Sequence, residues 1–271
     1  MTMIGLILGT GNLPCQIIKR LQETQTSFTC VLFDNFLNDQ VKALTDNYKI
    51  VKLGHVGDII SHLKQQNVTH VLFAGHIARP GFKDLDTDTK GRSWLIKLGL
   101  SIFKGDDGLL VAITQLLESE GFKVIAAGDI LDNLHLSKGS HTCKKPSAQD
   151  QIDIQRGIDV LKATSHLDIG QAVVIEDGLV LGLEAVEGTE KLIQRIHPLK
   201  RSKLQSGVLV KMQKQQQSKK IDLPTIGLDT VQQCIDANLK GIAIDAKYTQ
   251  VLDQERVIRL ADANDLFIHT F

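Results

Sequence analysis

Residues 3–25 read MIGLILGTGNLPCQIIKRLQETQ, and this stretch decides the fold. MIGLILG is almost continuously apolar, the pattern of a strand buried on both faces. The turn GTGNLP, Gly9 to Pro14, follows at once. LPCQIIKRLQETQ then spaces its apolar residues as a helix does. A strand, a glycine-rich turn and a helix make the start of a βαβ unit, which belongs to parallel sheets.

The same alternation continues outward. FTCVLFD (28–34), THVLFAG (69–75) and FKVIAAGDI (122–130) read as strands, and DIISHLKQQN (58–67) and LLVAITQLLESEG (109–121) as helices. The expected fold class is α/β, with a Rossmann-like domain over 1–135 built on a mainly parallel sheet. The polar, punctuated stretch DNLHLSKGSHTCKKPS (132–147) supplies a linker over 136–146. A distinct mixed α/β domain is expected over 147–271. Its first helix, 147–165, is capped by Ser147. AVVIE (172–176) and LVLGLEA (179–185) flank Asp177-Gly178 and predict a hairpin. Helices are expected over 187–196, 230–239 and 254–265, and strands over 207–212, 241–246 and 266–271.

Composition narrows the function classes. The 271 residues carry a formal net charge of zero, so no whole-molecule field steers nucleic acid to the chain. The four cysteines, Cys15, Cys30, Cys143 and Cys234, form no CxxC pair. That argues against a disulfide framework and a structural zinc site, and for a reducing compartment. No stretch approaches the ~20 apolar residues of a membrane span, and the early glycines of the N-terminus do not suit a signal peptide.

Several short motifs carry chemistry, each with a plainer reading beside it. GTGNLP presents backbone N–H groups to a phosphate, or is simply a tight turn. Pro14 stands where a dinucleotide fingerprint needs its third glycine, although Asp34 sits where a ribose-binding acid would. In FAGHIARP (73–80), Gly75 allows close approach, and His76 and Arg79 suit phosphate oxygens; otherwise this is a solvated loop. In KGDDGLL (104–110), Lys104, Asp106 and Asp107 suit a phosphate–metal site, or one acid caps the helix. Glu187, Gly188 and Thr189 open another helix, with the acid favouring its positive end. In DLPTIG (222–227), Pro224 holds Leu223 extended and the loop aims Asp222, either at chemistry or into a turn. Residues 191–220 hold nine Lys/Arg and no Asp/Glu. RSWLIKLGLSIFK (92–104) reads as an interfacial segment or a core-facing helix.

Taken in order, GTGNLP, FAGHIARP, KGDDGLL, DIGQ (168–171), EGT (187–189) and DLPTIG resemble one family across both halves of the chain. It is the LpxI-type UDP-2,3-diacylglucosamine pyrophosphatases of Gram-negative lipid A synthesis. The resemblance implies a Mg²⁺-dependent hydrolase that releases UMP and 2,3-diacylglucosamine 1-phosphate (lipid X). It also implies a homodimer with its active site between the two domains. The family's metal-binding catalytic aspartate falls on Asp222, with Asp106 as a second metal candidate and Asp107 and Glu187 as further catalytic candidates. Substrate contacts are expected from Gly9, Gly11, Asn12, Gly75, His76, Arg79, Lys104, Gln171, Gly188, Thr189 and Thr225. The expected partner is a lipid-linked UDP-sugar, with no nucleic acid, and the expected location is cytoplasmic, peripheral to the inner membrane. An NAD(P)-dependent oxidoreductase and a non-catalytic sugar-nucleotide-binding protein are the alternatives.

Overall fold

The computed structural model describes residues 2–77, 81, 85–99, 105–202, 204–214 and 223–271, with the backbone alone at 105–107. The chain divides into two compact units, Met1–Asp132 and Asn133–Phe271.

In the first unit, strands β1 (Ile4–Leu8), β2 (Phe28–Phe33), β3 (Tyr48–Val51), β4 (His70–Ala74) and β5 (Lys123–Ile125) form one sheet in the order β3-β2-β1-β4-β5. Every pairing in it is parallel. Helix α1 (Leu13–Glu23) follows β1, with Pro14 in its first turn, where a missing N–H costs nothing. It buries Cys15, Ile17, Ile18 and Leu21, the stripe that the sequence spacing predicts. The short helix α2 (Asp39–Leu44) and then β3 follow β2. The chain next returns through α3 (Val56–Gln65) to β4, on the other side of β1. Helices α4 (Thr89–Leu98) and α5 (Gly105–Ser119) precede β5. Ile59, Ile60 and Leu63 of α3, Trp94 of α4 and Leu117 of α5 pack with Ile7, Val31 and Val71 in one core cluster. Burying one such aliphatic side chain contributes about 1.5–3 kcal/mol. RSWLIKL is therefore a core-facing helix here, with Trp94 and Leu98 buried and Ile96 facing solvent.

Strand β3 is absent from the sequence expectation. It is an edge strand with only Val51 buried, so its residues carry no continuous apolar run.

In the second unit, α6 (Ala148–Thr164) begins at Ser147. The Ser147 hydroxyl and the Asp150 carboxylate cap each other's backbone N–H groups. Strands β6 (Gly139–Ser140), β7 (Ala172–Glu176), β8 (Leu179–Leu183), β9 (Val208–Lys211), β11 (Gly241–Ile244) and β13 (Phe267–Thr270) form a mixed sheet in the order β6-β13-β11-β9-β7-β8. β9, β11 and β13 run parallel, while β7, β8 and β6 are antiparallel to their neighbours. The β7–β8 turn has positive φ at both Asp177 (48°) and Gly178 (78°), as a two-residue hairpin requires. Buried Asp153 of α6 accepts from the N–H groups of both turn residues, at 2.9 and 2.8 Å. Residues 136–146, expected as a linker, carry β6 and belong to this unit. β6 has only two residues and no apolar pattern, so only its pairing with β13 reveals it. Helices α7 (Gly188–Ile196), α8 (Leu228–Asp236) and α9 (Gln254–Ala263) complete the unit, with a parallel pair β10 (Thr225–Ile226) and β12 (Gln250–Val251).

Candidate functional site

In the first unit the strand order reverses between β1 and β4, so their C-terminal ends form the switch point where open α/β sheets bind ligands. Gly9 and Gly75 lie there, packed against each other's strands. Thr10 and His76 exchange two backbone hydrogen bonds of 2.9 Å across the gap. A Cβ on Gly9 would lie 2.3 Å from the His76 carbonyl oxygen, and one on Gly75 (φ +88°) 2.5 Å from the Thr10 oxygen. These two glycines let the strand ends close on one another. Gly11 differs: its φ is +98° and nothing lies within 4 Å of its Cβ direction, so this side of the turn is open to a ligand. Asn38 donates to the Gly11 carbonyl at 3.0 Å and holds the turn. Asn12 is the N-cap position of α1 but makes no side-chain cap. The His76 residue is exposed. Asp34, weighed as a ribose ligand, accepts from the Asn35 N–H at 2.9 Å.

Asp106 and Asp107 lie in the first turn of α5. Arg79, Lys104 and Asp222 lie outside the described residues.

In the second unit the candidates gather around two charged residues: Glu184, the acid that the hairpin's second strand delivers, and Lys211, which the sequence did not single out. Glu184 and Lys211 are each 5% exposed. The Glu184 carboxylate accepts from the Gln171 N–H at 2.9 Å and from the Thr189 hydroxyl at 2.8 Å. The Lys211 ammonium donates to the Thr189 hydroxyl oxygen at 3.1 Å and to the Thr225 carbonyl at 3.0 Å. Gln171, Thr189 and Thr225, half-buried residues from three separate motifs, therefore join one network around the buried Glu184 and Lys211. Strand alternation puts Lys211 on the face of Leu209, which packs with Leu192, Ile193 and Val231. Only the position of Lys211 at the end of β9 lets its ammonium reach polar partners. A lysine closing the apolar run GVLVKM was the available signal. A buried charge costs several kcal/mol unless it is hydrogen-bonded, and each of these two charges has two hydrogen-bond partners in the network.

Thr189 has one hydroxyl proton, which goes to Glu184, so it offers a ligand its backbone N–H and a remaining lone pair. Gly188 opens α7, and its N–H donates to Ala185 at 3.2 Å. Glu187 is held by Arg195, with Nε 2.9 Å and NH2 2.8 Å from its carboxylate. Burial pushes the Glu187 carboxyl up, but its own backbone N–H, Arg195 and the Ala185 backbone together bring it below the usual glutamate value. The side-chain oxygen Oε1 of Gln171 is buried without a hydrogen-bond partner. Thr225 donates to the Leu223 carbonyl at 3.1 Å.

Much of the basic run 191–220 is used internally. Arg195 pairs with Glu187, and Lys214 pairs with Asp168. Lys200 donates to the Ala237 and Asn238 carbonyls at the end of α8. Burial lowers the Lys200 pKa, against the pull of Glu176. Lys203, Lys219 and Lys220 lie outside the described residues.

These features define an α/β protein with a doubly wound parallel sheet in one unit and a mixed sheet carrying a buried polar cluster in the other. The LpxI N-terminal domain description matches residues 3–134 and the LpxI C-terminal domain description matches 137–269. The UDP-2,3-diacylglucosamine pyrophosphatase LpxI of Caulobacter vibrioides is 34% identical over 275 residues, covering 99% of this chain and 97% of that protein. The chain belongs to the LpxI family. Among solved structures, the biotin carboxylase domain dimer of Hydrogenobacter thermophilus 2-oxoglutarate carboxylase aligns with 72% of this chain and 40% of its own. At 10% identity and a TM-score of 0.27, it carries no argument.

Proposed function

We infer that this chain hydrolyses the pyrophosphate of UDP-2,3-diacylglucosamine to UMP and 2,3-diacylglucosamine 1-phosphate, with Mg²⁺ as cofactor. The observation that carries this reading is the end-to-end similarity to a relative of that name. The alternatives, an NAD(P)-dependent oxidoreductase and a non-catalytic binder, lack such support.

Among the described residues no group of three or more His, Cys, Asp or Glu could hold a metal ion. Asp222 lies beyond them and has the hard oxygen chemistry that Mg²⁺ takes, an ion that one or two carboxylates hold together with substrate phosphates. Mg²⁺ bound there would neutralise charge on phosphoryl oxygens and activate water. Arg79 and Lys104 would balance the phosphate charge. Gly11 and Asn12 in one unit, and Gly188 with the Thr189 backbone in the other, would contact substrate. Glu187, already engaged by Arg195, would hold its turn in place.

Among the described residues no helix is long and apolar enough to cross a membrane. Lipid contact would instead use exposed apolar side chains such as Ile96 (81% exposed) and Val186 (98% exposed). Work as a homodimer at the inner-membrane surface is part of the same proposal.

The test is turnover of UDP-2,3-diacylglucosamine with and without Mg²⁺, for wild type and Asp222→Ala, with thermal melts of both. Expected are Mg²⁺-dependent UMP release and a loss of ~10³-fold or more in the variant at unchanged melting, which corresponds to ~4 kcal/mol of barrier. No turnover by wild type overturns the reading. Full activity of Asp222→Ala moves the metal to Asp106 or Asp107.

A further inference from the structure

Lys211 is the one lysine among the described residues to fall in the buried class, and it sits at the C-terminal end of β9, between parallel β11 and antiparallel β7. We propose that Lys211, with Glu184, is a positioning residue for the reaction. Its ammonium fixes the start of α7 to the start of β10, and so sets the relative placement of Thr189 and Thr225. The proposal rests on the functional reading above, in which the Thr189 backbone contacts substrate; Thr225 is a substrate-contact candidate of the DLPTIG motif.

The geometry supports it in three ways. First, one ammonium bridges two segments distant in sequence, reaching the Thr189 side chain at 3.1 Å and the Thr225 backbone at 3.0 Å. Second, the link is polarised in one direction. Thr189 accepts from Lys211 and so turns its proton to Glu184, which also grips the Gln171 N–H. Three motifs thereby share one hydrogen-bonding pattern in which the direction of the threonine hydroxyl proton is set. Third, β10 is short: it has two residues and pairs with the equally short β12. Ile226 anchors it in the core, while the Lys211 bond to the Thr225 carbonyl ties its first residue to the end of β9. Lys211 donates to protein atoms, so it acts through its neighbours and is no catalytic residue.

A purely structural salt network makes a different prediction. Replacing both charges together removes the buried imbalance, and such replacements restore or raise stability in other proteins. If the network only stabilises, activity returns with stability. If it positions, stability returns and activity does not.

The experiment compares wild type, Lys211→Met, Lys211→Arg and Lys211→Met/Glu184→Gln. It reads kcat and KM on UDP-2,3-diacylglucosamine, thermal melts, and amide exchange at 188–190 and 225–226. Misplacing a reacting group by an ångström costs up to about 10²-fold, so Lys211→Met should lose about 10–100-fold in kcat, with KM changed far less. The double variant should melt near wild type and stay slow, and exchange should rise at those two segments alone. Arginine should recover part of kcat. The proposal is overturned if the double variant recovers kcat along with its melting temperature, or if Lys211→Met keeps wild-type kcat. Unchanged exchange at both segments also overturns it, and that readout stands even if wild type proves inactive, which would instead sink the functional reading.

Discussion

Gly9→Ala tests the switch point directly. The new Cβ would sit 2.3 Å from the His76 carbonyl oxygen and 2.7 Å from its carbon, both backbone atoms. Ordinary contact begins at 3.4 Å, so the ends of β1 and β4 must part by about 1 Å. Overpacking of this kind costs about 1–3 kcal/mol. The two Thr10–His76 backbone bonds of 2.9 Å then stretch, at about 0.5–1.5 kcal/mol each. The expected total is about 2–6 kcal/mol. Trp94 is the sole tryptophan, is 5% exposed and packs in the first unit's core, so its fluorescence follows that unit. In urea the midpoint should fall by about 1–2 M. Gly128→Ala, with nothing within 4 Å and no positive φ, is the control in the same unit. If Gly9→Ala unfolds together with Gly128→Ala, the strand ends do not meet as described, and Gly9 keeps only its reading as a substrate-contact candidate.

Two further outcomes are expected. Asp153→Ala removes the acceptor for both turn amides of the β7–β8 hairpin and should destabilise the chain by about 3–6 kcal/mol, since bonds to a charged acceptor contribute about 1.5–3 kcal/mol each; denaturation followed by circular dichroism within about 0.5 kcal/mol of wild type would contradict this. His62 is buried beside Thr29, and burial, then Lys49, lowers its pKa. The folded state therefore favours neutral His62. Its contribution is full above about pH 6.5 and is lost as pH falls through the lowered value, because only the unfolded chain takes up the proton early. His62→Gln should flatten stability between pH 7 and 5, and an unchanged slope would refute the assignment.

How much was legible in the sequence follows from where the deciding forces act. Interior strands such as β1 and β2 are buried along nearly their whole length, so their apolar runs announce them. Local chemistry announced the Ser147 cap and the Asp177-Gly178 turn, because the partners lie within a few residues. Edge strands β3 and β6 went unread, because they are defined by a neighbour's hydrogen bonds and not by their own hydrophobicity. The motif order placed the chain in its family. Yet the motif could not show that Gly75 also admits the Thr10 carbonyl, a contact that exists only once β1 and β4 are paired.

By itself, then, the sequence determined what periodicity and local turn chemistry encode: two α/β halves, the strand–turn–helix opening and the places where chemistry-bearing motifs fall. Only the tertiary structure decided which of those motifs share a hydrogen bond. Gln171, Thr189 and Thr225 span more than fifty positions of chain, and they meet through Glu184 and Lys211, whose burial no local pattern reveals. The reason is physical: a charge survives in an apolar interior only when distant segments deliver its partners, and that delivery is a property of the packed fold.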